Sequence, residues 1–427
     1  MRVFLRNFGC TANMADGEVL AGCLAHAGFP LAASEFEADV LIYNTCAVKG
    51  PTENRIIDAM KHAPKGKKLI VAGCLPKISF ERLLREIKFD GAVGPSAGER
   101  IVDVVTRVAA GEKVIDLGDP NVRPKIDLPR IRSNPIVSVV PINYGCLGSC
   151  AYCCVVFARG TLRSYSIKEV IDRVRTDLAA GAKELWLTSQ DTACYGRDLH
   201  SNLAELLETL NGLEGDFRVR VGMMTPNMVA DMQDRLIEAF KSDKVFKFLH
   251  LPVQSGDDET LRRMRRFYTA AEFKSSVDAF RASFPDLTLV TDIIVGFPSE
   301  TDQAFERTLN LLREVKPDVT NVSKFFARPK TAAAQILDDL VEPNEVKRRS
   351  SVAAELAKRI SLERNRRWVG WAGEVLFDEK GKVEGSLVGR NFAYKPVAVR
   401  SADDLLGKTV RLKIVEASTT YLKGMII

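Results

Sequence analysis

Along the first hundred residues short apolar runs alternate with longer amphipathic stretches. "RVFLRNF" leads into "GEVLAGCLAHAGF" and "ADVLIYNTC" into "PTENRIIDAMKHA", with "KKLIVAGC" and "FDGAVG" completing the series. Short apolar runs bounded by turn residues read as buried strands, and the helical-period stretches between them as helices. Residues 1–110 are therefore expected to form a small open α/β domain with a mostly parallel sheet. A second, longer series covers 137–360. Its strand candidates are "IVSVVPI", "ELWLTSQ", "FRVRVGMM", "VFKFLHLPV", "LTLVTDIIVGF" and "TNVSKFF", separated by amphipathic segments such as "SIKEVIDRVRTDLAAG". Six βα units fall short of the roughly 250 residues of a complete eight-unit barrel, so a partial (β/α)6 barrel is expected.

Between the two series, residues 111–136 include "DLGDPNVRPKIDLPRIRSNP", proline-rich and without periodicity, which predicts a linker or a wrapping strap. Over 361–427 the pattern changes to short β segments separated by polar or glycine-rich turns, among them "GEVLFDE", "KPVAVRS" and "GKTVRLKIVEAS". That predicts a small all-β, OB-like barrel, an architecture that often holds RNA or single strands.

Of the 427 residues 46% are hydrophobic and 27% charged, an ordinary globular mix with material for two or three domains. No apolar run reaches the length of a membrane span and the N-terminus carries no secretory pattern, so a cytoplasmic protein is expected. The net charge of +6 is concentrated late: from Arg364 to Ile427 twelve Lys/Arg face seven Asp/Glu. Either a solvated basic face or a nucleic-acid contact surface follows.

Nine cysteines are too few, and odd in number, for a disulfide-stapled scaffold. Cys23 lies inside an apolar helix pattern and reads as core. Cys10, Cys46 and Cys74 each follow a strand, where open α/β sheets bind ligands, so the three can converge on one point. Cys146, Cys150 and Cys153 follow the first strand of the longer series, in "VPINYGCLGSCAYCCVVFARG". Gly145 and Gly148 let the backbone turn tightly there. Three thiolates do not complete a tetrahedral structural zinc site, and Cys154 is sterically awkward as a fourth ligand. A four-iron cubane held by three thiolates leaves one iron open to another molecule.

The CxxxCxxC spacing with Tyr152 before its last cysteine resembles the radical S-adenosylmethionine signature. "GCTANMADGE", "YNTCAVKGPTE" and "VAGC" resemble the N-terminal domain of the methylthiotransferases. "LTSQDTACYGRD", "HLPVQSGDDETLRRMRR" and "DIIVGFPSETDQAF" resemble their barrel, and the C-terminal segment resembles the TRAM module. "NTCAVKGPTEN", "VVFARGTLRSY" and "FFARPKTAAAQI" are most similar to the archaeal and eukaryotic branch, which modifies N6-threonylcarbamoyladenosine at tRNA position 37. Lys330 and Ser299 depart from the pattern, standing where that family usually has glycine in "RPGT" and "GFPGET".

The resemblance implies two 4Fe-4S clusters, one on Cys146, Cys150 and Cys153 and an auxiliary one on Cys10, Cys46 and Cys74. It implies two S-adenosylmethionine molecules per turnover, one giving the methyl group and one the radical that attacks C2 of the adenine, with sulfide or persulfide as sulfur source. Tyr152, Ser189, Gln190, Asp191, Arg220, Gln254, Ser255 and Gly296 stand where S-adenosylmethionine contacts are expected. For most of them turn-capping or strand-edge roles are the alternative, and His250 is as readily a structural hydrogen-bonder as a site residue. The tRNA anticodon loop would track Arg159, Arg163, Arg265, Arg266, Asn391, Phe392, Lys395 and Lys423, and the target base would leave its stack. An electron donor of ferredoxin or flavodoxin type, a separate sulfur donor and a monomeric chain complete the expectation.

The competing substrates are isopentenyladenosine tRNA and an aspartate of a ribosomal protein. A non-catalytic iron–sulfur RNA-binding protein is the rival from another class. A metal-dependent hydrolase lacks any nucleophile–histidine constellation here.

Overall fold

The computed structural model describes residues 1–427. The first domain is a five-stranded parallel sheet in the order β1 (Val3–Asn7), β2 (Val40–Thr45), β3 (Lys68–Gly73), β4 (Gly91–Val93) and β5 (Val114–Asp116). Every residue of β2 is buried, as a strand covered by helices on both faces must be. The fifth strand lies beyond the expected boundary at 110, so the sheet absorbs the first residues of the supposed linker.

The rest of that linker is a bolted strap. The buried Arg130 guanidinium donates to Val139 O at 2.6 Å and to the Ser138 hydroxyl at 2.5 Å, and pairs with Asp177. Ser133 donates through its backbone and hydroxyl to Glu18 Oε1, at 2.9 and 2.8 Å. Gly22 of the helix Thr11–His26 makes the close approach possible, because a Cβ there would stand 2.2 Å from Pro129 O.

The second domain holds six parallel strands in two arcs. One is β10 (Arg218–Val221), β9 (Glu184–Thr188) and β6 (Val137–Pro141); the other is β11 (Phe248–His250), β12 (Thr288–Val295) and β13 (Val319–Lys324). A parallel bridge between Val219 and Val245 links the arcs, giving an open six-strand barrel. Helices on its outside, including Ile167–Ala179, Leu203–Asn211, Ala270–Ser283 and Asp302–Val315, bury the main hydrophobic core against it. A two-residue antiparallel ladder, β7 (Asn143–Tyr144) with β8 (Arg163–Ser164), closes the base of the loop that carries Cys146, Cys150 and Cys153.

The helix Pro343–Arg366 runs through the boundary expected at 360, so the third domain begins after it. There a closed barrel forms in the order β14 (Ala372–Lys380), β15 (Ser386–Arg390), β16 (Pro396–Arg400), β18 (Leu422–Ile426) and β17 (Thr409–Ala417). Closure removes the exposed edges that five short strands would otherwise present. Lys395 docks this barrel on the second domain, its ammonium 2.7 Å from Asp318 Oδ1 and 2.9 Å from Asn365 Oδ1.

Candidate active site

Both cysteine sets face one cavity of about 820 Å³, lined by Cys10, Cys46 and Cys74 from the first domain and by Cys146, Cys150 and Cys153 from the second. The first three reach it because they follow β1, β2 and β3 at the carboxyl edge of a parallel sheet. Burial pushes the Cys74 thiol up to about 12 and raises that of Cys46, outweighing the opposite pull of the Arg159 guanidinium on both.

The second three sit on a loop that turns at Gly145, where φ is +74° and a Cβ would strike Thr161 O. Its backbone is pinned at Ala151, whose N–H donates to Met264 O at 2.9 Å and whose carbonyl accepts from Ala333 N at 2.8 Å. Gly148 donates its N–H to Cys146 Sγ at 3.1 Å, and a Cβ there would stand 3.3 Å from Cys146 Sγ and 3.6 Å from Cys150 Sγ. Arg266 places Nη1 3.2 Å from Cys150 Sγ. A charge-bearing donor and an amide aimed at sulfur, with room kept by a glycine, suit thiolates that carry an iron–sulfur cluster.

The strand ends around the loop supply polar atoms with no protein partner. Ser189 Oγ, Gln190 Oε1, Arg220 Nε and Gln254 Oε1 are each buried, unpaired and on cavity-lining residues. Buried orphans of this kind cost about 1–3 kcal/mol each unless a ligand completes them. Asp191 differs: Oδ1 accepts from the amides of Ala193 and Thr225, both at 3.1 Å, and Oδ2 from the Cys194 thiol at 3.3 Å. It caps its own turn. Arg220 lies among the rings of Trp186, Phe248 and Tyr394, its guanidinium carbon 5.1, 4.9 and 5.3 Å from their centroids. Tyr152 also lines the cavity. His250 is paired with Asp292 at 2.8 Å and faces the same space.

Several expected contacts are corrected by the geometry. Ser255 is fully buried with its hydroxyl 3.3 Å from Thr308 Oγ1, so it braces the helix Asp302–Val315 rather than the cavity. Gly296 adopts φ +73°, but the close approach it permits is to Val346 of the long helix. Four residues expected to touch RNA point inward. Arg159 is 3% exposed and pairs with Asp16, and Arg266 is 9% exposed against Cys150 and Tyr268. Asn391 caps its turn by accepting from the amides of Ala393 and Lys395, and Lys395 is held by Asp318. Arg163 is half-buried and donates to Arg159 O at 2.7 Å. Arg265, Phe392 and Lys423 are exposed; Phe392 packs against Trp368 and Trp371, and Lys423 pairs with Glu416 at 2.6 Å.

One cysteine was absent from the expectation. Cys194 is buried beside Cys146 and Asp191, with all three ligand atoms within 4.8 Å of one another. Nothing in "DTAC" separates it from an ordinary core cysteine.

The barrel, the cysteine loop and the third domain together define a radical S-adenosylmethionine protein with an appended RNA-type barrel. The chain matches the Radical SAM superfamily over residues 140–312, the uncharacterized protein family UPF0004 over 2–94 and the TRAM domain over 366–427. It is 41% identical, over the whole of both chains, to a probable threonylcarbamoyladenosine tRNA methylthiotransferase of Pyrococcus abyssi. It is 34% identical to the human threonylcarbamoyladenosine tRNA methylthiotransferase, with 99% of this chain and 73% of the human one covered. The chain belongs to the threonylcarbamoyladenosine tRNA methylthiotransferase family. Among solved structures, the radical S-adenosylmethionine methyltransferase TsrM of Kitasatospora setae shares the fold, with a TM-score of 0.56 at 14% identity, covering 78% of this chain and 74% of TsrM.

Proposed function

We propose that this chain converts N6-threonylcarbamoyladenosine at position 37 of tRNA to its 2-methylthio form, using S-adenosylmethionine and two 4Fe-4S clusters. The observation that carries the reading is the convergence of six cysteines, from two domains, on one cavity. When bound, the clusters and S-adenosylmethionine supply the electron, the radical, the methyl group and the site that carries sulfur.

The chain's own residues position these groups. Cys146, Cys150 and Cys153 hold the radical-generating cluster, and Cys10, Cys46 and Cys74 the auxiliary one. Ser189, Gln190, Gln254 and Arg220 offer the unpaired donors and acceptors that orient the amino acid and ribose of S-adenosylmethionine. Tyr152 walls the cavity beside the cluster loop. An electron donor of ferredoxin or flavodoxin type and a sulfide or persulfide source act with the chain, which works as a monomer. No helix is long and apolar enough to cross a membrane.

The cavity's charge favours the threonylcarbamoyl substituent, which bears a carboxylate, over an uncharged prenyl group. Its two acids, Asp191 and Asp292, are already engaged by amides and by His250 and Asn321. Of its cations, Arg159 is paired with Asp16, Arg266 lies against Cys150 and Arg220 is given to S-adenosylmethionine, which leaves Arg265 and Lys330 without an ion-pair partner.

The test is nucleoside mass spectrometry after anaerobic reaction of the reconstituted, reduced protein with S-adenosylmethionine, sulfide and tRNA. Methylthio product only on tRNA bearing threonylcarbamoyladenosine is expected. Product only on isopentenyladenosine tRNA would overturn the substrate, and cofactor cleavage with neither product would overturn the tRNA reading.

A further inference from the structure

Three side chains at the cavity's edge are left unexplained by packing. Phe267 lines the cavity and is 72% exposed, an apolar ring standing in water at the edge of the site. Arg265 and Lys330 line it too, both exposed. Both hold a left-handed backbone, with φ of +56° and +66°, a conformation that costs a non-glycine residue free energy that glycine would not spend. Neither cation is engaged in an ion pair, whereas the neighbouring Arg262 and Arg263 are tied to Glu259 at 2.6 and 2.9 Å.

The two segments meet across the cysteine loop. Met264, just before Arg265, accepts the Ala151 N–H, and Ala333, just after the Lys330–Thr331 turn, donates to the Ala151 carbonyl. Ala151, Met264 and Ala333 share one small hydrophobic cluster with Phe297. The exposed ring and the two free cations therefore flank the loop of Cys146, Cys150 and Cys153 at the mouth of its cavity. Phe157, 37% exposed, adds a second ring to the lining.

An exposed aromatic ring between unpaired cations is the composition of a single-stranded nucleic-acid platform. The ring stacks a base of any identity, and the cations hold anions along the strand. We propose that Arg265, Phe267 and Lys330 form the surface that receives the unpaired strand of the tRNA anticodon loop as its target base enters the cavity. This rests on the function proposed above; it keeps Arg265 of the expected RNA contacts and adds Phe267 and Lys330 at the lip of the catalytic cavity. Phe267 stacks a base neighbouring the extruded one. Arg265 and Lys330 bind an anion, either a backbone phosphate or the carboxylate of the threonylcarbamoyl group.

The test is fluorescence anisotropy with the full, anaerobically reconstituted chain. The probes are three anticodon stem-loop RNAs carrying unmodified adenosine, threonylcarbamoyladenosine or isopentenyladenosine. Phe267→Ala is expected to weaken all three by roughly tenfold, the loss of one stacked base. Arg265→Gly and Lys330→Gly place glycine where the backbone favours it, so melting temperatures at or above that of the unsubstituted protein exclude misfolding. Weakening of all three RNAs by the double glycine variant, with the salt slope reduced by about 0.7 per cation, supports the proposal with phosphate as the anion. Weakening confined to the threonylcarbamoyl RNA supports it with the carboxylate. Unaltered binding of all three RNAs by every variant overturns the proposal and leaves the proposed function standing. Failure of the unsubstituted protein to bind any of the RNAs overturns both.

Discussion

Arg159 and Asp16 form a buried ion pair that ties one cysteine set to the other. Arg159 ends the short helix beyond Cys153, Asp16 lies on the helix that follows Cys10, and they are 3% and 4% exposed. Tyr144 of β7 donates its hydroxyl to Asp16 Oδ1 at 2.6 Å, so a single carboxylate collects both contacts. Removing Asp16 strands a guanidinium in the interior. Asp16→Ala is expected to cost roughly 3–5 kcal/mol, the usual penalty for breaking a buried pair from one side. Tyr144→Phe loses only one hydrogen bond to a charged group, about 1.5–3 kcal/mol. Thermal melts of the cluster-free protein should rank them in that order.

Tyr394 brings the C-terminal barrel up against a cavity-lining residue, because its ring is one wall of the cage around Arg220. A desolvated cation–π contact is worth about 2 kcal/mol. Tyr394→Leu keeps an apolar side chain but removes the ring's field, and is expected to weaken S-adenosylmethionine binding by about fivefold in equilibrium dialysis. Arg220→Lys should weaken it more, since an ammonium lacks the planar fork that stacks and donates at once.

Glu184, at the start of β9, is buried where the second and third domains meet. Burial first, and then the nearby Asp378, pushes its carboxyl up to about 8. A carboxyl whose pKa is raised by folding binds its proton more tightly in the native state. It therefore stabilises the fold fully below the ordinary carboxylate range, and that stability is lost as pH rises towards and through about 8. Melting temperature should fall across that window, and Glu184→Gln should flatten the fall. An unchanged slope in the variant would assign the effect elsewhere.

Cys194 stands close enough to Cys146 to raise the question of a fourth thiolate ligand. Asp191, the third member of that group, spends its carboxylate on two amides, which leaves the trio short of a metal site of its own. Cys194→Ala is expected to retain the iron of the reconstituted protein, whereas Cys146→Ala should lose about four irons per chain. Iron assay and cluster absorbance decide it.

The main architecture was legible because its signals are local. Apolar runs marked every parallel strand of the first two domains except β5, whose "VID" lies between charged residues in "GEKVIDLGDP" with no apolar run around it. The cysteines were legible because a thiol after a strand end has few places to go. What escaped depends on distance along the chain or on the sign of burial. Arg266 and Cys150 are brought together by the barrel, not by any spacing. Arg159 and Lys395 are chemically identical to surface cations in the sequence, and only the carboxylates of Asp16 and Asp318 reveal that they face inward. Ser255 and Gly296 occupy strand ends, as expected, but a strand-end turn has two sides, and theirs meet helices.

The two cysteine sets are proposed to have different tasks in one cavity, and one measurement separates those tasks directly. Single-turnover reactions would be run with the intact protein, with Cys150→Ala, and with the combined alanine variant of Cys10, Cys46 and Cys74, counting 5'-deoxyadenosine and methylthio-nucleoside from the same tube. Loss of both products in Cys150→Ala, with 5'-deoxyadenosine retained and methylthio-nucleoside absent in the combined variant, is the predicted result. Methylthio-nucleoside formed at the intact protein's yield by the combined variant would contradict it.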